Sequence, residues 1–208
     1  MISNLKVIRN YKQLYKERQI LFSKKYVDDS FELSLKFLEI PHDLPVLYNW
    51  LSQYSGKIFQ SNCNQQDLRH FFESMLASKF ALSFLCELNK KPIAQVELYS
   101  QSYKDSLAEF QYQQDDFELK LLTAPELNNQ KHPLVSVIKF CLEYVFSKNK
   151  TNRLIFQTDL ENEDLNESLI EAGFCFAQKI QSKFRDVNIY TCSRLNYLTK
   201  FTPLRMVN

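Results

Sequence analysis

Polar residues stand in several places where their spacing suits acid–base chemistry. Glu97 and Tyr99 alternate with apolar residues, so a strand would present both on one face of a sheet, which either lines a cleft or is exposed. Asp159 and Asn162 follow an apolar run and precede a predicted helix. A carboxylate at such a strand end can accept a proton through water, although turn and helix-cap roles are the alternative for both residues.

A second alternating pair, Glu118 and Lys120, would also share one sheet face. The two side chains can line a cleft, or they can simply pair with each other. Lys131 and His132 come just before an apolar helix, at the end where unpaired amides and the helix dipole favour an anion. The alternative for His132 is a place in a solvated loop.

The composition excludes several kinds of site. The chain of 208 residues has only two glycines, Gly56 and Gly173, whereas nucleotide-binding phosphate loops need several glycines in one turn. The five cysteines are odd in number and form no C-x-x-C pair, which argues against a disulfide framework and a zinc site. His42 and His70 have no partners at ligand spacing. We therefore expect no metal ion.

The charge of the chain is unevenly distributed. The net charge of +2 is too small to indicate a nucleic-acid partner, but the leading segment is strongly basic. Such a segment can bind phosphates, an acidic lipid surface or an acidic protein, or it can form a solvated helix face. No apolar run suits a signal peptide or a membrane span, so we expect a cytoplasmic protein.

Alternation and apolar stripes predict the elements of the fold. Strands are predicted at 31–40, 80–88, 92–99, 107–112, 117–123, 153–158, 174–180 and 187–194, and helices at 44–54, 65–78, 134–146 and 163–172. Pro133 would open the third helix, and Asn162 and Gly173 would bound the fourth. The crossover through the third helix implies one parallel, splayed pair in an otherwise antiparallel sheet. We predict a mixed α/β (α+β) domain at 31–208, preceded by a basic extension at 1–30.

This order of elements resembles the GCN5-related N-acetyltransferase (GNAT) superfamily. The stretch PIAQVELY, which ends at Tyr99, resembles the P-x-x-x-x-E-x-Y segment of siderophore-pathway acyltransferases. Asp159 and Asn162, followed by Gly173 and a phenylalanine, resemble their P-D-x-x-N…G-F ending. The leucine pair that ends at Leu122 resembles their H-L-L-x-x-P strand. The subgroup resembled most contains the hydroxylysine acetyltransferases.

The resemblance implies an acyl-CoA donor, such as acetyl-CoA, and a small amine or hydroxylamine acceptor. It implies that the backbone N–H of Leu122 steadies the oxyanion, and that Asp159 orients or deprotonates the acceptor, while Lys120 takes the place of the family's histidine. The other implied donor contacts are Lys131, His132, Leu134, Val135 and Asn162. The implied acceptor contacts are Trp50, Glu97, Tyr99 and Glu118, with core packing as the alternative for Trp50.

The sequence departs from the family pattern at two places. The loop that precedes the third helix contains no glycine, and Pro133 removes one N–H donor. At the second, Lys120 stands where the family has a histidine, and a lysine with its reference pKa is protonated at neutral pH and cannot accept a proton. Three functions therefore stay open: a siderophore-pathway N-acyltransferase that can be a homodimer, a catalytically silent relative that binds a partner or an acyl carrier, and a protein acetyltransferase.

Overall fold

The computed structural model describes residues 19–26, 30–54, 64–78, 80–100, 110–127, 131–148, 151–181 and 186–201. The strands in these ranges are β1 (Ile20–Tyr26), β2 (Phe31–Phe37), β3 (Ala81–Leu88), β4 (Lys91–Ser100), β5 (Phe117–Thr123), β6 (Arg153–Asp159), β7 (Cys175–Ile180) and β8 (Val187–Ser193). The helices are α1 (Leu44–Gln53), α2 (Gln65–Ala77), α3 (Lys131–Lys148), α4 (Glu163–Glu171) and α5 (Arg194–Phe201).

The eight strands form one sheet in the order β1-β2-β3-β4-β5-β6-β8-β7. Strand β5 runs parallel to β6, while β2 is antiparallel to β1 and β3, and β8 is antiparallel to β6 and β7. This topology confirms the predicted mixed α/β fold with one parallel pair in a mostly antiparallel sheet.

Parallel pairing of β5 with β6 covers only the first part of both strands. The register joins Phe117 to Leu154, and ends where Leu119 lies opposite Phe156. Strand β5 then continues to Thr123 and β6 to Asp159, where β6 still pairs with β8 on its other edge. The two strands are therefore paired at their amino ends, and their carboxyl ends extend beyond the paired region.

The chain divides into two compact units, Met1–Leu98 with Leu121–Asn128, and Tyr99–Lys120 with Asn129–Asn208. In the first unit, β3 and β4 are joined by Asn89 and Lys90, both at positive φ, as a two-residue hairpin turn requires. Helix α2 begins with a capping box between Asn64 and Asp67. The buried residues of α1 and α2 are Leu44, Leu47, Trp50, Leu51, Leu68, Phe72 and Met75.

In the second unit, α3 is buried on most of its faces, as its nearly continuous apolar sequence predicts. Its described part begins at Lys131, so Pro133 is its third residue and not its first. Proline is tolerated there because amides of the first turn have no partner within the helix. Helix α4 is capped by Asn162, as predicted, and ends just before Gly173, whose φ is +106°.

Three further observations differ from the predicted elements. Strand β1 lies within the predicted basic extension and pairs with β2. Of the predicted strand at 107–112, residues 107–109 lie outside the described part of the chain, and residues 110–112 are not in a strand. Helix α5 was not predicted, because none of its residues is buried and it has no strong apolar stripe in the sequence.

Candidate functional site

The parallel register brings several predicted residues to one face of the second unit. Glu118 lies opposite Ile155, and side chains alternate along each strand. Glu118 and Lys120 therefore share a face with Gln157 and Asp159 of β6. The other face of β6 turns toward α4, because the Thr158 hydroxyl is hydrogen-bonded to the side chain of Asn166.

The ammonium of Lys120 is held by two of the other predicted residues. Its Nζ lies 4.6 Å from the centroid of the Tyr99 ring and 3.6 Å from Oε1 of Glu118. Tyr99 is buried, whereas the Lys120 side chain is 49% exposed. The structure thus brings Tyr99, Glu118 and Lys120 together as an aromatic ring, a carboxylate and a cation.

Sequence reasoning missed Tyr112, which lies close to this cluster. Burial raises the pKa of the Tyr112 hydroxyl well above its ordinary value, and the charges of Glu118 and Asp116 raise it further. Its ring makes an edge contact with Phe110, 5.1 Å between centroids. Because Tyr112 precedes β5 in an irregular segment, no periodicity indicated which side chains it would meet.

A buried ion pair attaches this irregular segment to β6. Arg153 Nη2 lies 2.6 Å from Asp116 Oδ2, and Arg153 Nε donates to Asp116 Oδ1 at 3.1 Å. The same Nη2 donates to the carbonyl of Gln111 at 3.1 Å, and the guanidinium stacks on Phe110. The Asp116 side chain is 1% exposed, so this pair fixes the backbone on both sides of Tyr112.

Asp159 is exposed at the last position of β6. Its backbone carbonyl accepts hydrogen bonds from the amide N–H of Asn162, at 3.2 Å, and from Nδ2 of Asn166, at 3.4 Å. The side chain of Asn162 accepts from the amide of Leu165, at 3.3 Å. These bonds fix the turn from β6 into α4, and they show that Asn162 serves as a helix cap.

At the start of α3, the predicted anion-binding residues are only partly available. Lys131 Nζ lies 2.6 Å from Glu167 Oε2 of α4, and this hydrogen bond raises the pKa of Lys131 and lowers that of Glu167. His132 is exposed. The side chains of Leu134 and Val135 are both buried. Because the helix begins at Lys131, earlier than predicted, its regular hydrogen-bond pattern pairs the Val135 amide with the Lys131 carbonyl.

The first unit holds the remaining predicted residues. Gln95 Nε2 donates to Glu97 Oε1 at 2.8 Å and to the Ser83 hydroxyl at 3.0 Å, so a buried amide positions the Glu97 carboxylate. Trp50 is 5% exposed and packs as a core residue of α1.

The end of β5, which carries Leu122, is hydrogen-bonded to the residue that follows α1 and to strand β4 of the same unit. Leu122 itself is partly buried. The Tyr54 hydroxyl donates to the carbonyl of Thr123 at 2.8 Å, and the amide of Ala124 donates to the carbonyl of Ile93 at 2.8 Å. These bonds hold the backbone that follows Leu122 in a defined position.

The described residues contain neither a group of metal ligands nor a membrane-spanning helix. No three His, Cys, Asp or Glu side chains in these ranges are grouped so that they could hold a metal ion. No helix there combines the length and the apolar character that crossing a bilayer requires.

Comparison with solved structures gives similar folds at low sequence identity. An uncharacterized protein from Bacillus halodurans aligns with a TM-score of 0.76 and 15% identity, over 86% of this chain and 93% of its own. A spermidine N-acetyltransferase chimera from Vibrio cholerae and hSSAT gives 0.64 and 21%, over 80% and 98%. The structure of AAC(6′)-Ib in complex with paromomycin and acetyl-CoA gives 0.70 and 17%, over 82% and 97%. At these identities the likeness establishes the fold alone.

A search of proteins with curated functions found no match. The family model described as "Acetyltransferase (GNAT) domain" matches residues 39–182. This range contains β5, α3, β6 and α4, together with the Tyr99–Glu118–Lys120 cluster. Because the match covers well over half of the chain, the protein belongs to the GNAT acetyltransferase family.

Proposed function

We propose that this protein is an acyl-CoA-dependent N-acyltransferase that acts on a small amine or hydroxylamine, in siderophore biosynthesis. The observation that carries the proposal is the parallel β5–β6 pair, in which pairing stops at Leu119 and Phe156 while both strands continue. This pair and the helices α3 and α4 lie within the range that the family model matches. The E-x-Y strand and the D-x-x-N…G-F ending favour a siderophore-type acceptor over other amines.

The residues at the start of α3 fit the anionic part of such a donor. Lys131 and His132 are exposed, and the amino end of a helix attracts anions. Pro133 supplies no amide, so we assign the diphosphate to the Lys131 ammonium and the His132 ring N–H in place of a glycine-rich loop. Binding would exchange the Lys131 contact with Glu167 for a contact with phosphate, which carries more charge.

In the proposed reaction, an acyl-CoA supplies an activated thioester, whose carbonyl carbon the acceptor nitrogen attacks. The N–C bond forms, the C–S bond breaks, and coenzyme A leaves with the electron pair of that bond. We assign to the Leu122 amide a hydrogen bond to the carbonyl oxygen as it becomes negative. Asp159 would take the proton from the acceptor nitrogen through water. A hydroxylamine demands less of this base, because it is a good nucleophile near neutral pH.

Calorimetric titration with acetyl-CoA and longer acyl-CoAs tests the donor. We expect saturable binding of at least one of them, with the chain length of the best donor read from the series. The absence of heat and of any thermal shift with the whole series would remove the transferase proposal.

Substitution of Asp159 tests the assigned base. Asp159→Asn should lower kcat by about tenfold or more, while the Kd for the acyl-CoA stays unchanged. Glu163→Gln is the matched control, because it removes another exposed carboxylate just after the same turn. Unchanged turnover in Asp159→Asn would show that Asp159 is not the base.

The second candidate function is a catalytically silent GNAT protein that binds a partner or an acyl carrier. It is favoured by one observation, that Lys120 stands in place of the family's histidine and its ammonium is engaged by Tyr99 and Glu118. No proton acceptor is then present at that position. Acyl-CoA binding without transfer to any amine or hydroxylamine tested would support this function and exclude the first.

A further inference from the structure

The carboxyl end of β5 is held by a strand on one edge and by a side chain on the other. The amide of Ala124 donates to the carbonyl of Ile93, in β4, at 2.8 Å. The N–H and C=O of a trans peptide group point in opposite directions, so the Thr123 carbonyl of the same peptide group points away from β4. The Tyr54 hydroxyl donates to this carbonyl at 2.8 Å. One peptide group is therefore fixed at both of its polar atoms.

Tyr54 makes a second contact with the same residue. Its phenol oxygen lies 3.1 Å from the Thr123 hydroxyl. A phenol has a single O–H donor, which the shorter bond to the carbonyl uses, so the Thr123 hydroxyl is the donor in this second contact. Tyr54 thus holds Thr123 through both its backbone and its side chain.

The position of Tyr54 is itself well defined. It is the C-cap residue of α1, and its backbone N–H donates to the carbonyl of Leu51 at 3.2 Å. Helix α1 packs in the core of the first unit through the buried side chains of Leu47, Trp50 and Leu51. Tyr54 is half-buried. A packed helix therefore presents the hydroxyl to the end of β5.

The clamped peptide group lies next to the backbone group that the proposed reaction uses. Leu122 precedes Thr123, and only the backbone torsions of these two residues separate the Leu122 amide from the clamped group. Ala124 precedes Pro125, which confines Ala124 to extended conformations. A hydrogen-bond donor stabilises an oxyanion best when it is already directed at the developing charge. The direction of the Leu122 N–H therefore depends on how firmly this end of β5 is held.

We infer that Tyr54 is a positioning residue, which fixes the Thr123 carbonyl and so keeps the Leu122 amide directed at the oxyanion. The inference rests on the proposed transferase function. In this role Tyr54 touches neither the donor nor the acceptor. Its hydroxyl should therefore affect the rate of transfer and leave the affinities for both substrates unchanged, whereas a tyrosine that only stabilised the fold would change none of these quantities in the folded protein.

Tyr54→Phe tests the inference, because it removes the hydroxyl and keeps the ring. The donor is the acyl-CoA that binds best in the calorimetric series, and the acceptor is N6-hydroxylysine. We expect kcat to fall by about tenfold, which is less than the loss of roughly a hundredfold or more that follows removal of an oxyanion donor itself. The Kd for the donor and the KM for the acceptor should stay within about twofold of their values in the unmodified protein.

Tyr197→Phe is the matched control, because Tyr197 is also half-buried and its ring packs on Phe146 of the second unit, 5.2 Å between centroids. It should leave kcat unchanged. An unchanged kcat in Tyr54→Phe, or an equal fall in Tyr197→Phe, would overturn the inference while leaving the transferase function intact. An unmodified protein that transfers no acyl group from any donor of the series would remove the proposed function, and this inference with it.

Amide hydrogen exchange, followed by NMR, tests the backbone contact in the absence of any substrate. The Ala124 amide belongs to the clamped peptide group, so it should exchange about fivefold or more faster in Tyr54→Phe than in the unmodified protein. In Tyr197→Phe its exchange rate should stay unchanged. An unchanged rate in Tyr54→Phe would overturn the inference by itself, because the hydroxyl would then not hold this backbone.

Discussion

The ion pair between Arg153 and Asp116 offers a quantitative test of how the second unit is held together. Arg153→Met removes the guanidinium but keeps a side chain of similar length over Phe110. It leaves the Asp116 carboxylate, 1% exposed, without the guanidinium and with a hydrogen bond from the Gln113 amide at 2.6 Å. The expected loss in the free energy of unfolding is therefore that of leaving a buried charge without its partner, which is larger than the loss from breaking an exposed ion pair.

Removing one partner of a buried ion pair typically costs about 3–5 kcal/mol. The Arg153 side chain is 18% exposed, so water can reach the vacated space and the loss should fall at the lower end, about 3 kcal/mol. The free energy of unfolding, measured by urea denaturation with circular dichroism, should fall by this amount. The exposed pair Arg69–Glu73, 2.8 Å apart, is the control, and Arg69→Met should cost about 0.5 kcal/mol or less.

A double variant separates the effect of the unpaired buried charge on stability from the effect of lost packing. Arg153→Met combined with Asp116→Asn removes both charges and keeps a side-chain oxygen for the Gln113 amide, so it should recover most of the stability lost in Arg153→Met alone. The reasoning fails if Arg153→Met costs no more than Arg69→Met. It also fails if the double variant is as unstable as the single one, because the loss would then not come from an unpaired carboxylate.

Two further predictions concern Gly173 and the cysteines. Gly173→Ala should lower the free energy of unfolding by about 1–3 kcal/mol, because φ is +106° and a Cβ would lie 2.8 Å from Phe201 Cε2; an unchanged urea midpoint would contradict this. Burial raises the pKa of Cys141 and of Cys192 to about 12, whereas Cys175 is exposed. Alkylation at pH 8 followed by mass spectrometry should therefore label Cys175 in the folded protein, and label Cys141 and Cys192 only after unfolding; early labelling of the buried pair would show that they are accessible.

Local signals determined much of the architecture. Alternation predicted the bounds of β5, because strand residues that alternate between buried and partly exposed faces show it directly in the sequence. Asn162 and Gly173 predicted the ends of α4, since a side-chain cap and a positive φ depend on residues within one turn. The motifs around Tyr99 and Asp159 were sufficient to indicate the family.

Only the tertiary structure shows which side chains contact each other when they are far apart in the sequence. The contact of Lys120 with Tyr99, the ion pair of Arg153 with Asp116 and the bond of Lys131 to Glu167 each join separate elements. Such contacts depend on strand register and helix packing, which no local pattern encodes. For the same reason, the sequence placed charged residues on the correct strands and helices, but it did not show which of those charges pair with each other.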